Sequence, residues 1–175
     1  MSTRIAWTKN IDPSWQAIQS VRIGFDSAGS GLFDQYLLVT QDDRPLLRID
    51  AYRNSEESFP FKNAICWHEF LAVGWGHRVY LIHRKSFHAI HHALDSYFGE
   101  LFPSGEFLLV TCGERIYRIA PNGLIEWKSD LVGIDGVIVQ DIHGNTIEGV
   151  GEWDPPGDWQ PFRVRLDSGQ LEEKV

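Results

Sequence analysis

The 175-residue sequence predicts an all-β protein of about four repeated antiparallel meander or hairpin units. The first observation behind this is internal. Phe70–Ile82, FLAVGWGHRVYLI, and Phe107–Ile119, FLLVTCGERIYRI, align without a gap at an offset of 37 residues, with seven of thirteen positions identical. The second is a third copy, Tyr36–Ile49, YLLVTQDDRPLLRI, which starts 34 residues before Phe70 and matches once an extra residue is allowed at Pro45. Near-constant spacing of self-similar segments is the signature of stacked repeats. The third is composition: aromatics reach 13%, with seven Trp. Large rings favour pleated, half-buried surfaces.

Met1–Asn10 reads as a short first strand or an ordered arm, and Asp12-Pro13-Ser14 as a turn or helix start. Val21–Phe25, VRIGF, alternates apolar and polar residues, as a half-buried strand does. Asp26–Asp34 and Asn54–Pro60 read as loops. The turns of the three copies fall at Gln41–Arg44, Gly76–Arg78 and Gly113–Arg115, and both glycines are expected to take a positive φ. Ala64–Trp67 and Tyr97–Phe102 are lead-in strands, and Pro103-Ser104-Gly105 turns the chain into the third copy. Ser86–Leu94 has helical spacing at Phe87, Ile90 and Leu94, but the repeat favours a hairpin there. Pro121-Asn122-Gly123 is a β-turn. Val137–Ile142, Thr146–Val150 and Phe162–Leu166 build a degenerate last unit. The insertion Gly151–Pro161 interrupts it, and a charged tail, Glu172–Val175, follows.

The segment IYRIAPNGLIEW resembles the strand–turn–strand of a quinoprotein-like β-propeller repeat ending in Trp. The resemblance covers about a dozen residues per unit. It implies a scaffold of blades and no particular activity; the length of 175 residues fits one domain, residues 1–175, or two small ones at most. Full blades take ~40–50 residues, so three-stranded blades, an incomplete propeller and an open sandwich of meanders stay open.

The net charge is −8, with a pI near 5.3. This argues against broad binding to nucleic acid or anionic membrane, which needs clustered Lys and Arg. A basic protein is the partner it suits. No apolar run has the length of a membrane span or the form of a signal peptide, and the expected compartment is the cytoplasm. Cys66 and Cys112 form neither a metal spacing nor a disulfide framework; Cys112, aligned with Trp75, is expected in the core.

No P-loop, dinucleotide turn, nucleophile elbow or zinc motif occurs, so no cofactor and no catalytic residue is assigned. The Gly-rich Ser27–Gly31 has no Lys and is no phosphate cradle. The acidic pairs Asp42-Asp43, Glu56-Glu57 and Glu172-Glu173 read as solvated turn and tail charges. Two stretches depart from the repeat. His83, His88, His91 and His92 crowd one; on a helix His88 and His92 would be i, i+4, with Asp95 the one candidate third metal ligand. Glu152, Trp153, Asp154, Asp158 and Trp159 surround Pro155-Pro156-Gly157 in the other. Two rings beside three carboxylates suit a recognition surface; alternatively both Trp plug the core. The expected function is a non-enzymatic protein-interaction module, in concrete form an acidic bacterial immunity or inhibitor protein. The alternatives are a carbohydrate- or small-ligand-binding β protein with a hydrolytic site, and an architectural unit of a larger assembly.

Overall fold

The structure, a computed structural model, describes residues 2–24, 31–53 and 61–172. Residues 26–30 of the loop expected at Asp26–Asp34, the loop expected at Asn54–Pro60 with Glu56-Glu57, and the tail residues Glu173–Val175 lie outside them. The described residues form fifteen strands, one 3-10 turn and no α-helix. They assemble into four sheets of three or four strands. The all-β expectation with four hairpin-based units therefore holds. The chain divides into two compact units, Met1–Ser58 and Phe59–Val175.

The first unit holds β1 (Thr3–Thr8), β2 (Ser20–Ile23), β3 (Leu32–Gln41) and β4 (Arg44–Arg53), in the order β1-β3-β4-β2. β2 runs parallel to β4; the other pairs are antiparallel. Asp12 caps the 3-10 turn Pro13–Trp15 by accepting the Ser14 N–H at 2.9 Å. Arg48 donates to the Trp15 carbonyl at 2.9 Å and pairs with Asp50 at 2.9 Å, which satisfies a buried carboxylate. The loop expected through Asp34 ends earlier, because Leu32 and Phe33 pair with Arg53 and Tyr52, and the Phe33 ring packs on Tyr36 and Tyr52.

The second unit holds three sheets. The first is β5 (Lys62–Trp67), β6 (Phe70–Trp75), β7 (Arg78–His83) and β8 (Ala89–Ala93). The second is β9 (Phe98–Ser104), β10 (Phe107–Cys112), β11 (Ile116–Ile119) and β12 (Ile125–Lys128). The third is β13 (Val137–His143), β14 (Thr146–Glu152) and β15 (Trp159–Arg165). Each is an antiparallel meander in chain order.

The repeat in sequence is a repeat in register. Leu37 pairs with Ile49, Leu71 with Ile82, and Leu108 with Ile119. All six are buried. The extra residue of the first copy becomes a bulge. Val39 faces Leu47 and Thr40 faces Pro45, which leaves Leu46 between them. The β9–β12 sheet lies between the other two and buries both faces. Leu108, Val110 and Cys112 pack toward Ala72, Val79 and Leu81, while Leu109 and Ile116 pack toward Val139, Ile147 and Phe162. A strand buried on both faces reads as a continuous apolar run, which is why FLLV lacks alternation. Burying each Leu, Ile, Val or Phe among these contributes about 1.5–3 kcal/mol.

Three local expectations are corrected. Gly76 has φ 62°, as its two-residue turn requires, but Gly113 has no positive φ. The β10–β11 turn is one residue longer, closing with Cys112 N–H on the Arg115 carbonyl at 2.9 Å, so the left-handed conformation is not needed. Pro103 and Ser104 belong to β9, and the turn is Gly105-Glu106. The insertion at Gly151–Pro161 is shorter than it reads: Gly151 and Glu152 end β14, and Trp159–Pro161 begin β15 in register with them. Ser86–Leu94 is the far side of a hairpin, as the repeat favoured.

Candidate functional site

Within the second unit, β9 contacts both β5 and β13, so the first strands of the three sheets converge. A cleft of about 530 Å³ opens there. Phe61, Lys62 and Asn63 enter it from the start of β5. Tyr97 and Glu100 enter from the start of β9, and Asp135 and Ile138 from the start of β13. The end of β14 adds Glu152 and the start of β15 adds Trp159, and Cys112 and Gly113 also line it.

Each sheet thus supplies one ring. Phe61 is 53% exposed and Trp159 is 40% exposed. The Phe61 and Tyr97 rings lie 6.1 Å apart between centroids, tilted by 32°. Two glycines allow these rings to lie against backbone. A Cβ at Gly113 would stand 3.0 Å from the Tyr97 ring, and one at Gly136 would stand 2.6 Å from Trp159 Cη2. Close approach is the reason for Gly113.

The Tyr97 hydroxyl donates to the Asp135 carbonyl oxygen, and it lies 3.1 Å from Asp135 Oδ1. Burial, then the Asp135 hydrogen bond and the Asp135 and Glu152 charges, push the phenol up to about 12. Tyr97 is therefore a protonated donor at neutral pH and not a base. Two backbone bonds fasten the segment before β13 to the end of β14: Ile134 N–H to the Glu152 carbonyl at 2.7 Å, and Glu152 N–H to the Gly136 carbonyl at 2.9 Å. Glu152 Oε1 accepts the Gly157 N–H at 2.7 Å and anchors the β14–β15 loop. Three carboxylates, Glu100, Asp135 and Glu152, and one ammonium, Lys62, line the cleft.

The five residues singled out in sequence are divided by this geometry. Glu152 and Trp159 line the cleft. Trp153 is half-buried and lines a different cavity, of about 270 Å³, with Leu131, Gln140, Glu148 and Arg163. Asp154 and Asp158 are exposed in the loop between β14 and β15, and Asp158 accepts from Gln160 at 3.0 Å. Trp159 is thus no core plug. Phe61, Tyr97, Glu100 and Asp135 escaped sequence reasoning. The available signal was an aromatic residue nine positions ahead of Phe70 and another ten positions ahead of Phe107.

The histidine stretch has no such convergence. His88–His92 lie on or beside β8, so helical spacing does not apply. His92 Nε2 lies 2.7 Å from the Gly123 carbonyl, and His83 Nδ1 lies 3.0 Å from Ser86 Oγ. Asp95 is held by Lys128 and Arg115, each at 2.9 Å, and the Lys128 hydrogen bond keeps its carboxyl below the usual range. Among the described residues no group of three His, Cys, Asp or Glu side chains is placed to hold a metal ion. Cys112 is a buried free thiol in the core, and Cys66 is exposed. No helix among the described residues is long and apolar enough to cross a membrane. No protein-family model matches the chain, and no curated protein matches it.

Proposed function

We propose that this chain is a non-enzymatic protein-interaction module that takes a basic partner protein in the cleft at the three first strands. The observation that carries the reading is one aromatic ring from each of three sheets set among three carboxylates and a single lysine. Rigid rings supply buried area at low entropic cost, and they dominate interface energies. The carboxylates, with a net charge of −8 behind them, would steer a basic partner to this face. An immunity or inhibitor-type protein that plugs a basic enzyme is the concrete form, acting in the cytoplasm. Under the same proposal the sheets are blades of a small propeller-like scaffold. No nucleic acid or anionic membrane is a partner in this reading.

A second reading, a carbohydrate-binding protein, is favoured by the smaller cavity. There Trp153 stands beside Gln140 and the Arg163–Glu148 pair, 3.0 Å apart, and such planar polar groups suit hydroxyls.

One titration separates the two. Equal-length Lys/Arg-rich and Asp/Glu-rich peptides and a neutral oligosaccharide are each titrated into the protein by calorimetry, from about 0.05 M to about 0.5 M salt. The basic peptide alone is expected to bind, more weakly as salt rises, with binding lost in the Phe61→Ala, Trp159→Ala double variant. Salt-independent binding, binding of both peptides alike, or no peptide binding would reject the first reading. Oligosaccharide binding lost in Trp153→Ala would establish the second.

A further inference from the structure

The partner group that enters the cleft can be narrowed, on the basis of the interaction reading above. We infer that the cleft receives an arginine side chain of the partner, its guanidinium stacked on the Phe61 and Tyr97 rings beside Trp159 and its N–H groups on the carboxylates.

The spacing of the rings comes first. A flat group held between two parallel rings needs them about 7 Å apart, twice the ~3.5 Å contact distance. Phe61 and Tyr97 are 6.1 Å apart and tilted by 32°, so they pack on each other and offer a joint surface. A planar guanidinium lies flat on such a surface. A compact, strongly hydrated ammonium has no flat face to match it.

The acceptors come second. Asp135 and Glu152 each have one oxygen engaged internally, Oδ1 by Tyr97 and Oε1 by the Gly157 N–H. Their other oxygens, and the exposed Glu100, remain as acceptors brought in by three different strands or their approaches. Five N–H groups in a rigid fork reach acceptors spread around a plane, while three donors on one nitrogen do not. The charge also agrees, since three carboxylates against Lys62 leave room for an added cation.

The experiment uses the full chain and two peptides of equal length and charge, one with arginine and one with lysine as its only cationic residue. Calorimetry is paired with the indole N–H resonance of Trp159, assigned by its loss in Trp159→Phe. The arginine peptide is expected to bind about tenfold more tightly and to move that resonance. Phe61→Leu keeps an apolar side chain but removes the ring. It should reduce the preference severalfold with the thermal midpoint unchanged, as should Glu100→Gln. Equal affinity, or tighter lysine binding, overturns the arginine assignment and leaves a basic partner in place. Failure of both peptides overturns the assignment and the interaction reading together.

Discussion

The two stretches where the repeat departs from itself, His83–His92 and Glu152–Trp159, behave in opposite ways. The first spends its polar atoms on its own hairpin and on one turn of the next sheet. His92 meets the Gly123 carbonyl, His83 meets Ser86, and Glu69 lies 3.6 Å from His83. These contacts hold one hairpin and one neighbouring turn. The second stretch keeps Asp154 and Asp158 in its own loop but turns Glu152 and Trp159 toward the cleft. Glu152 and Trp159 meet Phe61 and Tyr97 from other sheets around an open volume. Residue type therefore did not distinguish a site from a structural detail, since four histidines look more chemical than two tryptophans. What distinguished the two stretches was whether groups from separate strands converge on an open cleft.

The largest test of that contrast is Gly136→Val. Its Cβ would stand 2.6 Å from Trp159 Cη2 and would displace the indole from the cleft. Binding of the basic peptide is expected to weaken by about tenfold or more, as loss of a central ring does. Retained affinity would detach Trp159 from the site.

Tyr97→Phe is next, at about 1 kcal/mol of stability for the lost hydrogen bond to Asp135. It also carries a pH signature. A phenol titrates near 10 in the unfolded chain, whereas Tyr97 holds its proton up to about 12 in the fold. Deprotonation then favours the unfolded chain, and stability falls as pH rises from about 10 toward about 12. Denaturation at stepped pH should show this part of the decline removed in Tyr97→Phe; an unchanged slope would contradict the burial of that hydroxyl.

The smallest effects belong to the histidines. His92→Ala should cost about 1 kcal/mol through the Gly123 carbonyl, and the exposed His88→Ala should stay within about 0.5 kcal/mol. Neither should alter peptide affinity. A change in affinity from either would bring the histidine face back as a site.

Much of the fold was legible because it is local and repeated. The pairing of Leu71 with Ile82 and of Leu108 with Ile119 follows from where the turn falls between them. Even the extra residue near Pro45 is visible, and it becomes the bulge at Leu46. The reason for Gly113 was not legible. Its neighbour is the Tyr97 ring, sixteen residues earlier, and no local pattern marks that approach. Leu32–Asp34 was misread for a similar reason: its pairing partners on β4 lie across a hairpin, outside the local window.

The sequence by itself determined the class, the repeat and its register, the turn positions of the three copies, and a net charge of −8. These depend on periodicity and composition, which are carried by neighbours in the chain. Only the tertiary structure decided that Trp153 and Trp159, six residues apart, serve different cavities. It alone brought Phe61, Tyr97, Asp135 and Trp159 together. The physical reason is that a side chain's direction follows from strand pleat and sheet packing. A cleft assembled from three sheets has no spacing along the chain by which it could be read.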